Sequence, residues 1–261
     1  MLADQLAADG VASLRYDKLF SGQTGFGRYA SDPAAADVAT FSGEAAAALR
    51  FLGAEPRTDL RQLAVYGHSE GGLYALLLAT GRAGPVPHIQ KLALIEPLSR
   101  RSLDILDEQL HASLTQQREA GRLTAADAAE QATEIDQAIA AVRAGVTPGV
   151  VPSFAAPLFG PSLVGYFRDV DQYDPATVAA QLPAKTPVLL TCSANDAQVS
   201  CPDVDHLAAG LRVAQTALSF TQLTGVDHAL KPDAGSNGAN NAAALPMAPA
   251  LASAIAQFTR A

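Results

Sequence analysis

The sequence predicts an α/β protein: a mostly parallel sheet of about five strands, helices on both faces, and a helical cap insertion. Three observations carry that expectation. Apolar runs of strand length alternate with helical patterns. One long stretch, 102–144, holds two helical patterns with no strand between them. And an apolar run at 63–66 passes through a glycine-flanked turn into a helical pattern.

Taken in order, residues 1–10 read as a short amphipathic helix ending at Gly10, and 11–16 as the first strand. Gly22, Gly25 and Gly27 mark a loop, and no strand-Gly-x-Gly-x-x-Gly-helix arrangement surrounds them to make a phosphate cradle. The alanine-rich stretch 37–52 is a crossover helix that stops before Gly53. The second strand is 63–66, its helix runs over 73–80 to Gly81, and the third strand is 91–95. In the insertion, the two helices of 102–144 join near Gly121. The irregular stretch 148–161 carries Phe154, Leu158 and Phe159, and Tyr166, Phe167 and Tyr173 follow. These apolar residues fit a cap over a pocket or the docking of the insertion onto the core. Strands at 187–192 and 217–223 complete the set, 231–246 reads as a polar loop without chemistry, and Pro249 opens the last helix, 251–258. The expected organisation is therefore core at 1–98, helical cap at 99–183 and core again at 184–261.

Composition narrows the function. The chain has 261 residues, 49% of them hydrophobic and only 17% charged, enough for one large core with an inserted cap. A formal net charge of -8 disfavours nucleic acid and anionic lipid as partners. No apolar run approaches the roughly 20 residues that span a bilayer. The first ten residues lack a basic start and are interrupted by Asp4 and Asp9, so they are not a signal peptide as written. Cys192 and Cys201, nine positions apart, fit either two reduced thiols or a disulfide, which leaves a cytoplasmic or a secreted location open. Two cysteines cannot make a four-ligand zinc site, and neither a metal nor a cofactor is expected. Oligomeric state is not legible.

The chemistry begins at Gly67-His68-Ser69-Glu70-Gly71, the G-x-S-x-G pattern of a nucleophile elbow, with Gly67 and Gly71 as the small residues that let strand and helix meet. A serine hydroxyl needs a base, usually an imidazole oriented by a carboxylate. Asp196 lies on a turn just past the fourth strand and His228 just past the fifth, so both belong to the sheet edge that carries Ser69. Asp203 or Asp205 is the alternative acid. Among the other histidines, His68 sits beside the serine where neighbouring side chains diverge, while His88, His111 and His206 lie before a strand, in the insertion and on the helix after the acid loop. The Glu70 side chain reads as a structural anchor rather than a proton carrier.

With these residues in place, the chain resembles the α/β-hydrolase superfamily from Leu2 onward. Arg15-Tyr16-Asp17-Lys18, Gly67 to Gly72, and Val226-Asp227-His228-Ala229-Leu230-Lys231 look like bacterial serine aminopeptidase-like or BAAT-like esterases. The resemblance implies an acyl-enzyme mechanism on a small acyl ester or amide, with Ser69 as nucleophile, His228 as proton shuttle and Asp196 as its orienter. It also implies the Glu70 backbone N–H as one oxyanion donor. The family begins with three further strands, and the loop after the third supplies the second donor. This sequence opens at what corresponds to the following helix, so a gap is expected between 11–16 and 63–66. Hydrolysis is the first reading, with acyl transfer or peptide cleavage as variants and a non-catalytic ligand-binding protein as the alternative class.

Overall fold

The computed structural model describes residues 1–232 and 245–261. Residues 233–244 of the expected polar loop, 231–246, lie outside them. Among the described residues the sheet has four strands, β1 (Ala64–His68), β2 (Lys91–Ile95), β3 (Pro187–Ser193) and β4 (Ala217–Leu223), all parallel and ordered β1-β2-β3-β4. Gly67 pairs with Leu94, Leu94 with Leu190, and Leu190 with Phe220, which aligns the carboxyl ends of the strands.

The fifth expected strand does not form. Residues 11–16 have no ladder, and Val11, Leu14 and Tyr16 are exposed. A strand is a pairing rather than a local conformation, and this segment has no strand beside it among the described residues. Gln90 N–H donates to Leu63 O and Ser69 N–H to Ile95 O, so the odd-numbered residues of β1 face β2. By alternation, the backbone groups of Ala64, Tyr66 and His68 point to the free edge. A groove of about 1540 Å³, lined by β1 on one side and Val11 to Tyr16 on the other, occupies that edge.

The chain divides into two compact units. The first, Met1–Lys18, Ser42–Arg100 and Asp174–Ala261, holds the sheet. Its central strands are sealed on both faces, which is why they read as unbroken apolar runs. Ala93, Ile95 and Leu189 pack with Leu6 of α1 (Leu2–Ala8) and with Leu251 and Ile255 near the C-terminus. Leu92, Leu94, Val188 and Leu190 alternate with them and are equally buried. The crossover helix α2 (Val38–Ala54) is followed by α3 (Gly71–Ala79), which is buried from Gly72 to Leu78 and packs on β1 and β2.

The second unit, Leu19–Phe41 and Arg101–Tyr173, is helical. Leu103, Leu106, Leu110 and Leu114 of α4 (Ser102–Glu119) pack against Ile135, Ala138, Ile139 and Val142 of α5 (Ala125–Arg143), with Phe159 and with Val164 of α6 (Pro161–Val170). The spacing is i, i+3, i+7, i+11 in α4 and i, i+3, i+4, i+7 in α5, each a one-sided apolar stripe. Back in the first unit come α7 (Pro175–Ala179), α8 (Cys201–Val213), which packs on β3 and β4, and α9 (Pro249–Arg260). No helix is long and apolar enough to cross a membrane among the described residues.

Candidate active site

Ser69 follows β1 directly and takes a left-handed backbone, φ 54°, that a non-glycine residue adopts only under constraint. The constraint is visible. Its carbonyl accepts from Gly72 N–H and Leu98 N–H, both at 2.9 Å, and its N–H donates to Ile95 O at 3.2 Å. Glu70 then forms the N-cap of α3, so the hydroxyl stands at the start of a nine-residue helix. Gly67 is required, because a Cβ there would collide with the Gly71 carbonyl. The second required glycine is Gly72 rather than the expected Gly71. A Cβ on Gly72 would come within 2.5 Å of Pro97 Cβ, whereas one on Gly71 would meet nothing within 4 Å.

Asp196 lies three residues past β3 in a turn of its own making. Its Oδ1 accepts from the N–H groups of Gln198 (2.7 Å) and Val199 (3.0 Å), which aims Oδ2 away from the turn. A disulfide between Cys192, on β3, and Cys201, the first residue of α8, brackets this loop with a Cα–Cα distance of 5.2 Å. His228 lies past β4 in a tight turn in which Asp227 N–H donates to Lys231 O and Leu230 N–H to Asp227 O. These local turns bring three strand ends together. His228 Nε2 is 2.9 Å from Ser69 Oγ, and His228 Nδ1 is 2.7 Å from Asp196 Oδ2. Asp196 and His228 are each only 9% exposed.

The other candidates are placed elsewhere. Asp203 is the N3 residue of α8, capped by Ser200 and paired with Arg100 at 2.7 Å, and Asp205 is exposed. His111 contacts Asp136 and Asp107 on the exposed faces of α4 and α5, and His206 contacts Asp174. The Glu70 carboxylate lies 3.9 Å from Lys18 Nζ.

Two residues escaped sequence reasoning. His68 does not diverge from the site: its Nε2 donates to the His228 carbonyl at 2.8 Å, and the two rings are 4.9 Å apart. Burial, followed by the His228 charge, lowers its pKa to about 4, so it is a neutral donor. Glu96, the residue after β2, is fully buried beside Asp196. Burial, then the Asp196 charge, push its carboxyl up to about 9. Sequence offered one signal for it, a carboxylate at the end of an apolar strand. Burial also pushes Asp196 upward, but the hydrogen bond and charge of His228 and two backbone N–H groups outweigh it and hold that carboxyl below the usual range. Glu96, Asp196 and His228 have ligand atoms within 4.8 Å of one another, yet both imidazole nitrogens are already engaged by Ser69 and Asp196.

No family model matches the sequence, and no curated protein matches it. Solved structures do. An enol-lactonase from Burkholderia xenovorans LB400 is similar over 100% of this chain and 86% of that one, at 17% identity and a TM-score of 0.52. DcsB, solved in complex with its substrate analogue, is similar over 99% and 84%, at 16% identity and a TM-score of 0.54. A variant of the esterase rPPE is similar over 86% and 58%, at 16% identity and a TM-score of 0.50. The fold is that of the α/β-hydrolases. Within that fold, Ser69, Glu96, Asp196 and His228 follow four successive strands at one edge of the sheet, where open α/β sheets assemble their sites.

Proposed function

We propose that this protein is a serine hydrolase acting on carboxylic esters, with amides second. The observation that carries the proposal is the unbroken pair of hydrogen bonds from Ser69 Oγ through His228 to Asp196. His228 Nε2 takes the serine proton as Oγ attacks the acyl carbon, and then delivers it to the leaving alcohol. Asp196 accepts from Nδ1–H, fixing the tautomer and offsetting the imidazolium charge. The acyl-enzyme is released by water, activated by the same base.

The Glu70 N–H, at the start of α3, is the first oxyanion donor, and the positive end of the helix adds to it. The esterase and enol-lactonase named among the similar structures support ester chemistry. The test is fluorophosphonate labelling with the adduct located by mass spectrometry. The expected result is an adduct on Ser69 that is lost in His228→Ala. Absence of any adduct on the folded protein would replace this reading with that of a ligand-binding protein of the same fold.

A further inference from the structure

Glu96 is used by none of these steps. It directly follows the strand between the one that leads to Ser69 and the one that leads to Asp196, since Ile95 pairs with His68 on one side and Thr191 on the other. Its backbone is left-handed, φ 43°, and its N–H is held by the carbonyl and the hydroxyl of Thr191, both at 3.2 Å. A non-glycine residue in that conformation persists only where its surroundings impose it.

The side chain is 0% exposed, and written as a carboxylate neither of its oxygens has a hydrogen-bond partner among the described residues. The groups facing it are Asp196 from the loop after β3 and Asp227 and His228 from the turn after β4, with His68 against the far side of His228. Two of these are carboxyls, and no lysine or arginine is among them. A second buried carboxylate next to Asp196 would have neither solvent nor counter-charge. Written as the acid, Glu96 acquires a partner, because Asp196 can accept a hydrogen bond from its O–H. Asp196 Oδ1 is already filled by two backbone donors, while Oδ2 accepts only from His228 and has a lone pair left.

We infer that Glu96 is a positioning residue: a neutral carboxylic acid that donates a hydrogen bond to Asp196 and so holds that carboxylate against His228 Nδ1. The inference rests on the serine hydrolase reading. It has a direct consequence for pH. When Glu96 loses its proton, near pH 9, the donor is replaced by a second negative charge beside Asp196, and activity falls.

The experiment compares wild type, Glu96→Gln and Glu96→Leu by p-nitrophenyl acetate hydrolysis from pH 6 to 10, with infrared difference spectra of the carboxylic acid band. Glu96→Leu, which has no donor, should lower kcat about tenfold at pH 7 with KM unchanged. Glu96→Gln, which donates but cannot ionise, should recover most of that loss and lack the alkaline decline. The wild-type infrared band of a protonated carboxyl at pH 7 should be missing from Glu96→Gln. The inference is overturned if that band is common to wild type and Glu96→Gln, if the alkaline decline survives in Glu96→Gln, or if Glu96→Leu keeps the wild-type kcat. The infrared result does not depend on turnover or on Glu96→Leu folding. Wild type that shows the band but neither hydrolyses the ester nor takes fluorophosphonate would sink the hydrolase reading alone.

Discussion

Asp171 in the helical unit and Glu96 in the sheet unit are buried to the same extent, 1% and 0% exposed, and their surroundings are opposite. Asp171 accepts from Arg101 at 2.7 Å, from Arg143 at 3.1 Å and from the Leu103 N–H at 2.9 Å. It ties the start of α4 to the end of α5, whose Arg143 also contacts Asp104. The Glu96 carboxyl meets no cation and no N–H donor among the described residues. The difference teaches how to tell a structural carboxyl from a functional one. Supplied with donors, a buried carboxylate anchors helices; beside another carboxylate and an imidazole, it must keep its proton, and that proton becomes available to the site.

Asp171→Ala leaves the Leu103 N–H without its acceptor and two guanidiniums without their shared partner. It should cost about 2–4 kcal/mol in urea unfolding, less than a fully buried pair because the arginines are partly exposed. A cost below about 1 kcal/mol would mean that the burial of Asp171 is incidental.

At Glu96 the expected effect is in the slope of stability with pH. Its folded pKa, about 9, lies above its unfolded value, so its contribution is complete below about pH 4.3 and is lost as pH rises toward 9. Glu96→Gln has no such loss. Its unfolding midpoint relative to wild type should therefore climb between pH 4 and pH 9. A constant difference would contradict the assignment of a buried acid.

His68 sharpens the same point with the sign reversed. Its folded pKa, about 4, lies below the ordinary value of about 6.5, so its contribution is present above 6.5 and disappears as pH falls toward 4. His68→Gln, which can still donate to the His228 carbonyl, should lose less stability than wild type between pH 7 and pH 4. Equal acid sensitivity would show that the ring is hydrated. The smallest effect belongs to the solvent-accessible pair of exposed Lys18 and half-buried Glu70, 3.9 Å apart, where Lys18→Ala should change stability by less than about 0.5 kcal/mol.

What could be read from residues alone follows from locality. Four apolar runs, the helices between them and the glycine-flanked turn at Ser69 are written in spacings of two to seven residues. Asp196 and His228 stood out for the same reason, each on a short turn just past an apolar run, and the structure places both within hydrogen-bond distance of the chain that starts at Ser69. Everything that depended on a distant neighbour was hidden. Residues 11–16 have strand composition but no strand beside them, and composition does not supply a ladder. Gly72 rather than Gly71 must be small because Pro97, beyond another strand, presses on it. The Cys192–Cys201 bond needed the spacing between the end of β3 and the start of α8. Glu96 at the end of an apolar run and His68 beside the serine carry no protonation state in the sequence, and theirs is set only when the ends of β1, β2, β3 and β4 converge. A titratable group's character is set by what excludes water from it and what charge lies beside it, and both are properties of the packed sheet edge rather than of any segment of the chain.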